Sequence, residues 1–182
     1  MKYVQTPLQG AYLVELDPRG DERGFFARLF CSEEFISHGL EGSFVQVNTS
    51  LSREQGTLRG LHYQLAPAAE TKLVRCMRGA VYDVLLDLRP GSSSFGGWFA
   101  ETLTAENRTM TYVPRGFAHG FLSLEPDTEV IYFVSHPYSP VHERGIRWDD
   151  PRFAIEWPID PRVISAKDRA YPDFNPAWHL VS

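Results

Sequence analysis

Residues 56–64 read GTLRGLHYQ. Thr57, Leu58, Leu61 and Tyr63 are strand formers, and Gly56 and Gly60 punctuate the run. An arginine, a histidine and a glutamine sit inside this predicted strand. A histidine in such a place is either a hydrogen-bonded structural group or a working one. Its surroundings favour the second reading. Lys72 and Arg75 follow, and a second dense stretch at 112–121, YVPRGFAHGF, carries His119. In an ideal strand Arg59 and His62 point to opposite faces. Both serve one pocket only if Gly60 marks a bulge, or if Arg59 acts across a subunit boundary.

Outward from this stretch the chain reads as short strands separated by turns. Strands are expected at 12–16, 25–30, 44–50, 72–78, 80–88, 98–103, 110–113, 117–122, 129–135 and 145–148. Residues 17–24, DPRGDERG, carry turn chemistry. A short helix is expected at 32–38, with Ser32 as cap, Glu33 and Glu34 at its positive end, and Gly39 as its stop. In 44–50, alternation puts Gln46, Asn48 and Ser50 on one face and Val45 and Val47 on the other. The two amides are either solvated or line a polar pocket. The tail from Asp149 is rich in Pro and aromatics, and 165–169, SAKDR, reads as a short helix. The pattern predicts an all-β sandwich or barrel. The 182 residues suit one domain, with no repeat and no linker.

Composition narrows the function. Apolar residues make up 43%, enough for a core, and 14 glycines with 13 prolines supply frequent turns. The net charge is -5 and no Lys/Arg block occurs, which argues against non-specific nucleic-acid binding. Cys31 and Cys76 lack CxxC spacing, so zinc-ribbon and thioredoxin readings fail. The first residues show no apolar stretch of a secretory leader, and no run approaches the roughly 20 apolar residues of a membrane span. The expectation is a cytoplasmic protein with reduced thiols.

Pro114-x-Gly116-x-x-His119 resembles the second half of the cupin signature. The first half would supply two histidines and then a glutamate. Here His62 holds the first place, Gln64 the second, and Lys72 follows with Glu70 just before it. An amide and a cation are poor ligands for a divalent metal, so the expectation is a cupin-like jelly-roll barrel with no metal and no cofactor. A metal set of His62, Gln64, Glu70 and His119 is the alternative. A histidine and a lysine in one pocket suit proton removal beside a ketone. The first is a base near neutrality, and the second stabilises the enolate oxygen. A phenol such as Tyr132 would return a proton to the other face. Its bland reading is a barrel-lining aromatic.

These residues sit in a series of blocks that resembles the dTDP-4-dehydrorhamnose 3,5-epimerase family over nearly the whole chain. The blocks are 21–26 (DERGFF), 45–50 (VQVNTS), 58–64 (LRGLHYQ), 72–76 (KLVRC), 79–89, Phe95-Gly96 with Trp98, and 105–107 (AEN). They continue with 113–121 (VPRGFAHGF), 138–140 (YSP), 148–151 (WDDP), 155–158 (IEWP) and 165–168 (SAKD). The resemblance implies a metal-free, cofactor-free homodimer that inverts C3 and C5 of a nucleotide-linked 4-keto-6-deoxyhexose. It implies His62 as base, Asp168 as its partner, Tyr132 as acid and Lys72 beside the enolate. Arg59, His119 and Lys167 would hold the sugar and diphosphate. Gln46 and Asn48 would read the nucleotide, Tyr138 would stack on the base, and Glu143 would line the site. Arg23, on an N-terminal segment exchanged in the dimer, would reach the neighbouring site.

Four positions depart from the family pattern. Arg28 stands where a glutamate near the nucleotide is common. Val47 and Thr49 stand for aspartate and histidine, and Phe133 for a lysine. These departures leave open a different nucleotide carrier, and relatives that act at one carbon only are also known. A non-catalytic sugar-nucleotide-binding cupin and a metal-dependent cupin are the remaining alternatives.

Overall fold

The computed structural model describes residues 1–180. The chain runs β1 (Lys2–Gln5), β2 (Tyr12–Glu15), β3 (Arg19–Asp21), β4 (Gly24–Phe26), α1 (Ser32–Ser37), β5 (Gln46–Ser52) and β6 (Thr57–Gln64). It continues with β7 (Lys72–Arg78), β8 (Ala80–Asp87), β9 (Trp98–Thr104), β10 (Met110–Val113), β11 (Phe117–Ser123) and β12 (Thr128–Val134). The last elements are β13 (Glu143–Gly145), β14 (Val163–Ile164), α2 (Ala166–Arg169) and α3 (Pro176–His179).

Two sheets face each other. One has the order β1-β2-β10-β7-β12-β5, and the other β13-β6-β11-β8-β9 with β14 added to β6. All pairs are antiparallel except β14 with β6. From β5 to β8, and again from β9 to β12, successive strands alternate between the sheets. That winding is a jelly roll.

The sequence of β8, AVYDVLLD, explains why the layers stack as they do. Val81 and Leu85 point between the sheets and join Val74, Cys76, Leu103, Phe121 and Val130. Val84 and Leu86 point outward and meet Leu61, Ile146, Phe153, Ile155, Trp157 and Phe174. The aromatic tail therefore covers the outer face of the second sheet. On the outside of the first sheet, α1 presents its buried Phe35 to Val14, Leu73, Met110 and Tyr112.

Several local expectations change. The strand expected at 25–30 stops at Phe26, because Gly24–Phe26 pairs with Arg19–Asp21 as a hairpin inside the expected turn. Ser32 is not the cap of α1. Cys31 holds the N-cap position without a side-chain bond, and the Ser32 hydroxyl donates to the Gly42 carbonyl. Glu33 and Glu34 do occupy the first turn. The strand expected at 44–50 starts at Gln46 and runs to Ser52, and the one at 145–148 lies at Glu143–Gly145. Strands β1 and β14 and helix α3 had no signal strong enough to single them out. Helix α2 lies where expected, with the Ser165 hydroxyl accepting from the Asp168 N–H.

Candidate active site

The site begins with a fault in β6. Strand β11 pairs His119 with His62, but its next partners are Phe121 and Arg59, so the register shifts by a residue at Gly60. Gly60 has φ +113°, and its Cα lies against Gly120 of β11, where a Cβ would come 2.6 Å from the Gly120 Cα. The bulge cancels the alternation, so Arg59 and His62 line one cavity. Of the two routes open from sequence, the chain takes the bulge.

The cavity has two lobes between the sheets. The first, about 470 Å³, is lined by Arg59, His62, Lys72, His119, Tyr132, Lys167 and Asp168, among others. The second, about 260 Å³, shares His62, Lys72 and Tyr132 and adds Gln46, Asn48, Tyr138 and Glu143. The amides of Gln46 and Asn48 thus face a polar pocket. Tyr132 comes from β12 of the first sheet, with buried Val130 and Val134 beside it, while His62 comes from the second sheet.

His62 and Asp168 lie 106 positions apart in sequence and 2.7 Å apart in space, Nε2 to Oδ1. Asp168 is buried and also accepts from the Gly60 N–H. Burial pushes its carboxyl up, but the hydrogen bond and charge of His62 outweigh burial and hold it below the usual range. With Nε2 engaged, Nδ1 of His62 is left without a hydrogen-bond partner among the described residues.

Lys72 is nearly buried, paired with Glu70 at 3.1 Å and donating to the His62 carbonyl at 3.3 Å. Burial, with the negative field of Glu70, raises the Tyr132 phenol against the opposing pull of Arg59, so it holds its proton at neutral pH. Arg59 donates to the Leu51 carbonyl and to Ser52. At the mouth, Glu143 accepts from Tyr138 and Lys167, whose bonds outweigh burial and lower its pKa. Gln46 accepts from the Tyr138 N–H.

The four side chains weighed as a metal set are engaged elsewhere. His62 and His119 face Asp168 and Asp83 through Nε2, and Gln64 donates to Glu70 and to the Ala68 carbonyl. Glu70 pairs with Lys72.

Arg23 and Arg28 are not brought to this cavity. Arg23 sits at the tip of the β3–β4 hairpin, paired with Asp21, and Arg28 pairs with Glu34. Val47, Thr49 and Phe133 lie on the outer face of the first sheet, and none of the four departing residues lines either lobe. Two supporting residues went unread in the sequence. Asp83 is fully buried, held by His119 at 2.7 Å and by the Thr111 hydroxyl at 2.6 Å. An acid at the centre of a mostly apolar strand was the available signal. Tyr171 packs its ring against His62, and nothing in the irregular tail marked it.

The family model for dTDP-4-dehydrorhamnose 3,5-epimerase matches residues 5–176. A dTDP-4-dehydrorhamnose 3,5-epimerase of Sinorhizobium fredii is 47% identical over 154 residues, covering 84% of this chain and 79% of that one. The crystal structure of the Bacillus anthracis enzyme of that name, with TDP and PPi bound, superposes with a TM-score of 0.91 at 44% identity. It covers 95% of this chain and 99% of the other. A Legionella pneumophila dTDP-6-deoxy-D-glucose-3,5-epimerase in complex with dTDP-4-keto-L-rhamnose gives 0.87 at 38% identity, covering 93% and 90%. The fold is cupin-like, and the chain belongs to the dTDP-4-dehydrorhamnose 3,5-epimerase family of isomerases.

Proposed function

We propose that the cavity inverts C3 and C5 of dTDP-4-dehydro-6-deoxy-D-glucose, giving dTDP-4-dehydro-L-rhamnose, by proton transfer through an enolate. The observation that carries this reading is the meeting of His62 and Tyr132 from facing sheets in one lobe, with Lys72 beside both. Nδ1 of His62 takes the C–H proton. The electron pair moves into the ring as an enolate, whose oxygen at C4 is met by the Lys72 ammonium. Tyr132 returns a proton from the other side, leaving a phenolate and an imidazolium that reset by exchange with water. Asp168 holds the imidazole in place through its bond to Nε2. No cofactor enters this scheme.

Arg59, His119 and Lys167 hold the sugar and diphosphate. The second lobe takes the nucleoside, with Gln46 and Asn48 as hydrogen-bonding groups, Tyr138 as the stacking ring and Glu143 at its edge. The TDP found in the Bacillus anthracis relative supports a thymidine carrier. The protein works as a cytoplasmic homodimer of single-domain chains. Val47 and Leu51 on the edge strand β5, with Val45 just before it, form an exposed apolar row that a second copy would cover. The exposed β3–β4 hairpin carries Arg23 outward, and an exchanged N-terminal segment would bring it, with Arg28 nearby, to the neighbouring nucleotide site.

The test is incubation with dTDP-4-keto-6-deoxyglucose in deuterated water, followed by NMR. Deuterium at both C3 and C5 with inverted configuration is expected. Deuterium at C3 alone would reduce the reading to a mono-epimerase. No exchange would overturn it for the thymidine-linked sugar.

A further inference from the structure

Among the described residues the imidazole of His62 has one hydrogen bond, from Nε2 to Asp168. Such a bond fixes the position of Nε2 but leaves the tilt of the ring free, because the last torsion of a histidine is broad. A base must present its free nitrogen within a few tenths of an ångström of the proton it takes. Something else must hold the tilt.

The candidate is Tyr171. Its ring meets the His62 ring edge-on, with centroids 6.0 Å apart and planes at 68°. It reaches that place because of a glycine. Gly145 pairs directly with His62 across β13 and β6. A Cβ on Gly145 would come 2.1 Å from Cε2 and Cζ of Tyr171, so the ring occupies the space that a side chain would need. Tyr171 follows Asp168 by three residues, so the short turn that delivers the carboxylate also delivers the ring. Tyr171 lines neither lobe of the cavity, and so any effect on chemistry passes through another residue. Its hydroxyl is buried without a hydrogen-bond partner among the described residues. Burial, opposed by Lys167 and reinforced by Glu143 and Asp168, pushes that phenol up to about 12. What bars it from acting as an acid is its place, since it lines neither lobe and reaches no substrate, and so it serves as a wall.

We infer that Tyr171, seated in the space left by Gly145, is a positioning residue that fixes the tilt of the His62 imidazole. The inference rests on the reading of His62 as the base. It assigns the work to the ring and none to the hydroxyl.

The experiment compares Tyr171→Phe, Tyr171→Ala, Gly145→Ala, the double variant Gly145→Ala/Tyr171→Ala, and His62→Ala. It follows kcat, KM and deuterium uptake at C3 and C5. Tyr171→Phe is expected within about 3-fold of wild type in kcat. Tyr171→Ala is expected to lose about 10- to 100-fold in kcat with KM within about 3-fold, as misplacement of a base does. Gly145→Ala should fall similarly by displacing the ring, and the double variant should be no worse than Tyr171→Ala alone. Should the alanine variant fail to fold, Tyr171→Leu keeps apolar volume without the flat ring and is expected to show the same loss of kcat.

A Tyr171→Phe variant as damaged as Tyr171→Ala would overturn the inference, as would an unchanged kcat in Tyr171→Ala. So would a fully additive double variant, or a loss confined to KM. An inactive His62→Ala beside a normal Tyr171→Ala sinks only the positioning role. A fully active His62→Ala sinks the base assignment itself.

Discussion

Gly60 and Gly120 touch backbone to backbone across β6 and β11, with no room for a side chain on either. A Cβ on Gly60 would lie 2.6 Å from the Gly120 Cα and 2.7 Å from the His119 carbonyl oxygen. The contact sets the bulge that turns Arg59 into the cavity occupied by His62. Gly60→Ala therefore meets both overlap and a positive φ of 113°. A loss of at least about 2 kcal/mol is expected, read from the urea midpoint, together with loss of epimerisation. An unchanged midpoint would show that the bulge does not depend on this contact.

Tyr132 tests the division of labour between the two sheets. Removing its hydroxyl leaves His62, Asp168 and Lys72 in place, so the first proton transfer survives. Tyr132→Phe is expected to exchange the sugar hydrogens with deuterated water while inversion slows by about 10²- to 10⁴-fold. Exchange and inversion lost together would mean that the phenol also governs enolate formation. Inversion at the normal rate would remove Tyr132 from the chemistry.

The strand pattern was legible because each strand carries its own alternation and each turn its own Gly or Pro. Period alone grouped Gln46 with Asn48 and Tyr132 with Val130 and Val134, but it left the amides as either solvated or pocket-lining, and only the fold turns them to the cavity. The pairing of His62 with Asp168 could not be read this way, since it joins residues 106 positions apart through a tail with no periodicity. Resemblance supplied that pair, and the structure adds its geometry. Tyr171 was invisible for the same reason. Asp83 was written in plain view within AVYDVLLD, but a buried acid on a strand does not name its partner. His119 and Thr111 lie on β11 and β10, and only folding brings them to it. The caps failed at Ser32 because a neighbouring loop carbonyl, Gly42, takes its hydroxyl.

The outer face of β5 offers a test of assembly. Val47 is 54% exposed and stands beside Phe133, with Val45 and Leu51 along the same row. Burying such a row against a second copy removes apolar area at about 25 cal/mol per Å². A charge placed there would be trapped in the contact. Val47→Glu is expected to weaken the dimer by at least about 10-fold, measured by light scattering across a dilution series. A dimer of unchanged strength would put the subunit contact on another face.

Acid stability should depend on Asp87, far from the chemistry. Its side chain is fully buried and receives hydrogen bonds from Arg89, Ser92 and Ser94. Burial alone would raise its pKa, but these donors and the Arg89 N–H outweigh burial and hold it below the usual value. A group whose folded pKa is depressed contributes stability that is fully present above its unfolded pKa, about 3.9. That contribution fades as pH falls through the folded value. Wild type should therefore lose stability progressively below about pH 4. Asp87→Asn keeps the shape and removes the charge, so it should be less stable by about 1–3 kcal/mol at pH 7. Its stability should also fall less steeply between about pH 4 and pH 2, because one linked proton is gone. Parallel curves for the two proteins, displaced but equally steep, would mean that Asp87 is not among the groups whose protonation unfolds the chain.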